Sequence, residues 1–178
     1  MGAAFSGIAT EEHFEQRYTL DEEDNSSFMA DCYKVLEGYY PANKIERLVA
    51  SPINHPKNLD QAVDDGFGFR MYCDAIELPK GTDMIILAQS FAAFLVERYG
   101  FKKYIDSEPE YPLRKLTLKY DEDGMYLSCY PIEYAAKVLE YQASFEDFVS
   151  KIENHMLQMK AMNDKVKDFI GGDDSEDE

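Results

Sequence analysis

The segment between Thr82 and Gly100 constrains the fold more than any other part of the chain. It begins with a residue that favours the N-cap of a helix and ends with a glycine, a typical helix stop. Its apolar residues recur at helical spacing but cover most of the helix circumference: Ile85, Ile86, Ala88, Phe91, Ala92, Phe94 and Leu95. Such a helix is normally buried on more than one side. The sequence therefore predicts an α-helix over Asp83–Tyr99 at the centre of the core.

Two further helices are predicted, one on each side of this segment. Ser26-Ser27 are good N-cap residues, and the apolar spacing after them predicts a helix of about three turns that Gly38 and Pro41 end. Ser144 caps a longer helix that ends at Gly171-Gly172 and carries Phe145, Phe148, Val149, Ile152, Met156, Met159, Val166 and Phe169 at helical spacing. At 1.5 Å per residue this helix spans roughly 39 Å, which equals or exceeds the width of a domain of this size. One of its ends is therefore expected to project or to pack on another chain.

Alternating patterns predict an antiparallel sheet. Residues 67–78 have the alternation of a strand. The runs at 115–120 and 125–132 alternate on either side of a Gly-containing turn, which predicts a β-hairpin. Residues 137–142 are a candidate third strand of that sheet. The Pro- and Asn-rich stretch at 52–58 predicts a loop.

The order of these elements predicts one domain of the α+β class, with helices packed on an antiparallel sheet and a long C-terminal helix. Residues 26–172 are expected to form this domain. Residues 1–25 are expected to be an acidic flexible arm with a short structured piece near 14–20, and residues 173–178 an acidic tail. Within the domain, residues 44–50 fit a strand and a helical turn equally well.

The formal net charge is −17, from 18 basic and 35 acidic side chains, and much of it lies near the two ends of the chain. Seven acids and one base lie between Glu11 and Asp24, and five acids and no base lie among the last six residues. Phosphate backbones and anionic membrane surfaces are repelled by such a chain, so neither nucleic acid nor membrane is an expected partner. The charge favours protein partners with a basic surface, and a solvated tail that only raises solubility is the alternative.

No motif in the sequence predicts a catalytic centre, a metal site or a cofactor. The histidines and cysteines are too scattered for a metal cage or a disulfide framework: His13, His55, His155, Cys32, Cys73 and Cys129. The first six residues fit the N-myristoylation pattern at Gly2, a short pattern that matches many proteins by chance. Because no membrane-spanning run or secretory signal is visible, we expect an intracellular, non-secreted protein.

Methionines and acids mark the candidate binding residues. Met156, Met159 and Met162 recur along the long helix, and methionine is favoured on surfaces that adapt to a partner. Because the distal half of this helix has few other large apolar groups, the three residues predict a stripe for protein binding or self-association; gap-filling in the core is the alternative. The acidic tail supplies the other predicted contacts: Asp173, Asp174, Glu176, Asp177 and Glu178. A basic cluster is a candidate receiver for this tail or a neighbour's, with a solvated strand face as its alternative: Lys102, Lys103, Arg114, Lys115 and Lys119.

Together these features favour a non-enzymatic protein-interaction protein, an adaptor or assembly subunit of a larger complex such as a viral or phage particle. The order of helix, strand, buried helix, hairpin and long final helix resembles the α+β layout of acidic secretion chaperones. The first alternative is accordingly an acidic inhibitor, immunity or chaperone-type protein that binds a basic site on its target. An enzyme that uses an unrecognised carboxylate site is the alternative from another class.

Overall fold

A four-stranded antiparallel sheet and seven α-helices make up the part of the chain that the computed structural model describes, residues 11–23, 25–42, 50–64, 68–122 and 124–171. In chain order they are α1 (Glu11–Arg17), β1 (Tyr18–Leu20), α2 (Ser26–Ala42), α3 (Pro56–Asp64), α4 (Gly68–Ala75), α5 (Thr82–Tyr99), β2 (Lys102–Asp106), β3 (Leu116–Glu122), β4 (Met125–Cys129), α6 (Pro131–Leu139) and α7 (Phe145–Gly171). The strands lie in the order β1-β2-β3-β4, and each pairs antiparallel with the next. The predicted α+β class is confirmed.

Helix α5 lies at the centre of the core, as its apolar pattern predicts. Its buried residues cover most of the helix circumference, and it contacts α2, α3, α4, α6 and β2. Gly100 ends the helix with a positive φ of 79°, which L-residues with a side chain rarely adopt. The predicted N-cap is wrong by one residue: Gly81, at φ 85°, precedes the helix, and Thr82 is its first residue.

Aromatic rings connect α5 to the two helices that follow the sheet. The ring centroid of Phe91 on α5 lies 5.9 Å from that of Tyr134 on α6. Its distances to Phe145 and Phe148 on α7 are 4.7 and 5.5 Å. Offset and edge-to-face ring pairs at such distances contribute beyond the area that they bury. This cluster therefore holds α6 and the first half of α7 against the central helix.

Helix α2 is longer than predicted and continues past Gly38 to Ala42. The glycine has a packing role inside the helix, because a Cβ atom at this position would overlap the hydroxyl of Tyr72 on α4. The ring of Tyr72 is itself held edge-on against Tyr39 of α2, with the centroids 5.4 Å apart. A helix interior normally disfavours glycine, and here the close approach of α4 requires it.

The strand predicted over 67–78 is wrong, because its described part forms α4. The buried residues are Phe69 and Cys73, four positions apart, whereas Met71 is 58% exposed. The burial thus follows the helical period. A short run with apolar residues at every second position also has them at every fourth, so the pattern fitted both structures.

The third strand predicted over 137–142 is also wrong. Proline at the start of α6 is favoured at the first position of a helix, and the helix continues to Leu139. Strand β4 accordingly ends at Cys129, earlier than the predicted end of the hairpin. The hairpin of β3 and β4 itself is confirmed, with Tyr120 opposite Leu127 in its register.

Two elements appear where the sequence predicted none. Helix α3 begins at Pro56 inside the predicted loop, and β2 pairs with both β1 and β3. The buried amide of Asn58 on α3 holds the remaining loop, because it donates to the carbonyl oxygens of Ala50 at 2.8 Å and Pro52 at 3.1 Å. The stretch at 44–50 lies outside the described residues except for Ala50.

The sheet includes residues from the segment predicted as an acidic arm. Strand β1 pairs with β2, and the piece predicted near 14–20 corresponds to part of α1 and to β1. The Nε and Nη2 atoms of Arg17 each donate to one carboxylate oxygen of Asp106, both at 2.9 Å. The Asp106 side chain is 3% exposed. The division of the chain into arm, domain and tail stays a prediction, and this ion pair joins α1 to the sheet.

We expect Arg17→Met to lower the free energy of unfolding by about 2–3 kcal/mol, because it leaves a buried carboxylate without its counter-charge. Hydrogen bonding to Arg17 holds the pKa of Asp106 below its ordinary value of 3.8. This stabilisation is therefore present above that value and is lost as pH falls through the lowered pKa. Urea unfolding should show a difference from wild type that is large at pH 7 and shrinks near pH 3.

Lys115→Met, which removes an exposed cation close to the same strand, is the control for this experiment and should unfold like wild type. If Arg17→Met and wild type were equally stable at pH 7, the ion pair between Arg17 and Asp106 would not stabilise the fold.

Candidate functional site

The long helix α7 is held at its start by a carboxylate from α3. The Asp60 carboxylate accepts hydrogen bonds from the Phe145 N–H at 2.8 Å and the Glu146 N–H at 2.9 Å. It also accepts one from the Ser144 hydroxyl at 2.8 Å. The first N–H groups of a helix have no partner within the helix, and a negative charge is favoured there by the helix dipole. Asp60 therefore fixes where α7 begins and the direction in which it leaves the core.

The first half of α7 packs on the domain. Phe145 and Ile152 are buried in the core, and Phe148 and Val149 pack against it. These positions are three and four residues apart, so they form one apolar stripe along the helix. Burial of this stripe fixes the rotation of the helix about its axis. In the second half the same face continues through Asn163 and Lys167, which border a groove with Tyr120 and Met125.

The second half of α7 projects from the domain. From Lys160 to Ile170 every residue is exposed except Asn163, which is half-buried. This part is roughly 16 Å of helix at 1.5 Å per residue. Four large apolar residues nevertheless lie on one side of it at helical spacing, with exposed fractions of 60% for Met162, 55% for Val166, 86% for Phe169 and 72% for Ile170. We call these four residues the distal stripe.

The three predicted methionines lie in two different environments. Met156 and Met159 are half-buried, pack against the core and border a groove with Tyr120 and Met125. Met162 is exposed and belongs to the distal stripe. The structure therefore places two of the three at the edge of the core and one beyond it. The other predicted contacts, Asp173, Asp174, Glu176, Asp177 and Glu178, lie outside the described residues.

Sequence reasoning overlooked the most exposed apolar side chains of the helix. Phe169, Ile170 and Val166 belong to the distal stripe, but the prediction singled out methionines. The available signal was the combination of helical spacing up to Phe169 with a helix longer than the domain is wide. Leu157 is also exposed, at 67%, but helical geometry places it on the opposite side of α7.

Charged residues flank the distal stripe. Three lysines and two aspartates are exposed on the remaining sides of this half-helix: Lys160, Asp164, Lys165, Lys167 and Asp168. A helix with one apolar stripe and a charged remainder is the usual form of a helix that lies on a protein surface. Here the charged side is solvated, and the apolar side also faces solvent.

A polar cavity between α3, α5 and α7 contains residue types that catalytic sites use. Its volume is about 520 Å³, and His55, Lys57, Tyr99, Glu146 and Glu153 line it. Four of these side chains form two separate pairs. The Lys57 Nζ lies 3.6 Å from a Glu146 oxygen, and the Tyr99 hydroxyl donates to Glu153 at 2.7 Å. Both pairs tie another helix to α7.

His55 is not hydrogen-bonded to a nucleophilic side chain among the described residues. Its Nδ1 accepts a hydrogen bond from the Lys57 backbone N–H at 3.2 Å, and its ring lies edge-on to Phe94 with the centroids 5.3 Å apart. No hydroxyl or thiol in the described ranges is hydrogen-bonded to this ring. A nucleophile within hydrogen-bond reach of the base is the usual signature of covalent catalysis. The cavity thus has the geometry of a helix junction.

The cysteines are equally unsuited to nucleophilic chemistry. All three are buried and unpaired. Burial raises the pKa of Cys32 to about 11 and that of Cys73 and Cys129 to about 12, so each thiol is protonated at neutral pH. Within the residues that the structure describes, no group of three or more His, Cys, Asp or Glu side chains could hold a metal ion. Likewise, no described helix combines the length and apolarity needed to cross a bilayer.

We expect Asp60→Ala to lower the free energy of unfolding by about 2 kcal/mol, because three hydrogen bonds at the start of α7 lose their acceptor. Asp60→Asn is the matched control, since it keeps one acceptor oxygen and should lose less. Urea unfolding measures the cost, and amide hydrogen exchange locates it in the first turn of α7. An Ala variant with unchanged exchange at Phe145 and Glu146 would contradict the capping role.

A pH dependence is expected from His55. Burial, followed by the nearby Lys57 charge, lowers the pKa of His55 below its ordinary value of 6.5, although Glu146 and Glu153 oppose this effect. The unfolded chain therefore binds this proton more readily, so the stability falls as pH drops from above 6.5 through the lowered pKa. Thermal unfolding between pH 8 and pH 5.5 should show wild type losing stability relative to His55→Gln. A stability difference between wild type and His55→Gln that stays constant over this pH range would contradict the lowered pKa of His55.

Comparison with known proteins adds no relative: no protein-family model, curated protein or solved structure matches the chain. Its function is therefore inferred from the chemistry of its own surface, in which the distal stripe of α7 is the most exposed apolar feature of the described chain.

Proposed function

We propose that this protein is a non-enzymatic interaction protein, an adaptor or assembly subunit that binds a protein partner through the second half of α7 and the acidic tail. The observation that carries the proposal is the distal stripe, in which the exposed apolar side chains of the second half of α7 lie together on one side of the helix. Four large apolar side chains on one side of a projecting helix are costly to leave in water, and contact with a partner would remove this cost.

The geometry favours recognition by insertion of the helix into a groove. An amphipathic helix commonly binds by placing apolar residues three and four positions apart into an apolar groove of its partner. Met162, Val166, Phe169 and Ile170 have this spacing. The Asp60 cap and the buried first half of α7 hold the helix in place, so little order has to be gained on binding at its base.

The charge of the chain favours a different protein over a second copy as the partner. Each copy carries a formal net charge of −17, so two copies repel one another. The five carboxylates of the tail follow the distal stripe directly in the sequence. A partner with an apolar groove flanked by Lys and Arg would therefore match both features, and its association would be accelerated by electrostatic attraction.

The alternatives differ in how they use the same molecule. An inhibitor, immunity or chaperone-type protein would bind one basic site through the same helix and tail, and it remains the first alternative. An enzyme would rely on the cavity at His55. The pairing of Lys57 with Glu146 and of Tyr99 with Glu153 supports a structural role for that cavity over an enzymatic one.

The decisive experiment compares variants on opposite sides of α7. We expect the double change Phe169→Ser and Ile170→Ser to weaken partner binding about 100-fold or more, because each side chain buried on binding contributes about 1.5–3 kcal/mol. Leu157→Ser, on the other side of the same helix, is the control and should bind like wild type. Affinity purification from the native host with all three proteins, followed by titration of the recovered partner, measures the effect.

Three outcomes would contradict this proposal. If Leu157→Ser weakened partner binding as much as the double variant, the effect would not be specific to the distal stripe. If the double variant bound the partner like wild type, the distal stripe would not be part of the interface. If light scattering gave the purified chain a mass above 20.5 kDa, and the double variant were a monomer, the partner would be a second copy of the chain.

The contribution of the acidic tail is tested separately. Neutralising its five acids should weaken partner binding at low salt and have little effect in ~1 M salt, where screening acts within about 3 Å.

A further inference from the structure

Three hydrogen-bond donors lie side by side across the sheet, on the face that α1 partly covers. Lys102 on β2 is directly opposite Lys119 on β3, and Lys119 is directly opposite Ser128 on β4. Directly opposite residues of antiparallel strands point to the same face. The row of Lys102, Lys119 and Ser128 is therefore fixed by the register of three strands, and we call it the lysine row.

The central member of the row is half-buried among aromatic rings. The Lys119 Nζ lies 4.2 Å from the ring centroid of Tyr18 and 5.5 Å from that of Phe14. Ring faces attract a cation but provide no oxygen for its three N–H donors. Among the residues described, Lys119 forms no ion pair. The nearby Asp106 carboxylate is already bound by Arg17 through both of its oxygens.

The lysine row carries an electrostatic cost in the folded chain. Like charges directly opposite on neighbouring strands destabilise a sheet, and Lys102 also has no ion pair within the described part of the chain. Burial, with a further contribution from Arg17, lowers the pKa of Lys119 below its ordinary value of 10.5. In a chain with 35 acidic and 18 basic side chains, two adjacent lysines without an ion pair to any described side chain are unexpected. An anion between them would relieve both costs.

The row borders a cavity of about 340 Å³ with aromatic walls. Phe14, Tyr104 and Tyr126 contribute these walls, and the ring centroids of Phe14 and Tyr104 are 5.5 Å apart. The volume is at the lower end of the range for small-molecule sites. Asp121 and Glu122 line the cavity as well. Their charges would repel a ligand with many negative groups, which excludes the acidic tail of this chain as a favourable occupant.

We propose that this cavity binds a small organic anion with a single carboxylate on a flat aromatic body. The carboxylate would accept hydrogen bonds from Lys119, Lys102 and the Ser128 hydroxyl. The aromatic body would lie against the rings of the wall and away from Asp121 and Glu122. The site is independent of the distal stripe, because none of its residues belongs to α7.

The test is a titration of the full chain with benzoate and 4-hydroxybenzoate, followed by NMR of the backbone amides. We expect both acids to bind with dissociation constants below about 10 mM and to shift amides around Lys102, Lys119 and Ser128. The neutral isostere benzamide should bind at least 10-fold more weakly. Inorganic phosphate, which lacks the flat body, should also bind more weakly.

Matched variants distinguish benzoate binding at the lysine row from a general effect of positive charge on the surface. Lys119→Met keeps the apolar stem against Tyr18 but removes the ammonium group, and should weaken benzoate binding at least 10-fold. Lys115→Met, an exposed lysine that does not line the cavity, should bind benzoate like wild type. The amide spectrum of each variant verifies that it is folded, and Phe169→Ser with Ile170→Ser should leave the benzoate affinity unchanged.

Four results would overturn the proposal: no binding of either acid below about 10 mM, equal binding of benzamide, phosphate binding as tight as that of benzoate, or equal losses with Lys119→Met and Lys115→Met. None of them bears on the distal stripe, so this inference and the proposed interaction function succeed or fail separately.

Discussion

The burial of α5 over most of its circumference is the constraint on which the rest of the structure depends. Ile86, Phe91 and Ala92 are almost fully buried and point away from the helix axis in different directions. Such a helix is stable only when other elements surround it. The helices α2, α3 and α4, together with α6 and the sheet, meet this requirement, and their placement in turn determines where α7 packs and where it leaves the domain.

One helix, α7, combines a structural half with a half available for contact. The Asp60 carboxylate and the ring cluster around Phe91 fix its first turns. Past Met159, the exposed apolar residues of the distal stripe lie on a side of the helix that is rotated from the buried face. The base of this surface is thus held by the domain itself. That arrangement supports the proposed recognition by contact.

Sequence periodicity predicted the long elements well and the short ones poorly. Helices of 18 and 27 residues, α5 and α7, repeat the 3.6-residue period often enough to exclude a strand. In α4, with 8 residues, the positions of Phe69 and Cys73 fit either period until a partner determines which face is buried. The strand predicted over 137–142 was wrong for the same reason. Strand β2 was overlooked because its strand partners are distant in sequence. At the candidate interface, Met162 was predicted, whereas Phe169 and Ile170 were overlooked although the length of the helix indicated that one of its ends projects.

By itself the sequence determined the α+β class, the buried central helix, the hairpin and the excess of carboxylates near the chain ends, because each depends on local periodicity or composition. Only the tertiary structure decided that Arg17 reaches Asp106, that Asp60 caps α7 and that Lys119 lies between Lys102 and Ser128. Contacts between residues far apart in the chain depend on how the elements pack and on strand register. Neither leaves a local signal in the order of the amino acids, since both arise only when separate segments bury their apolar faces against one another.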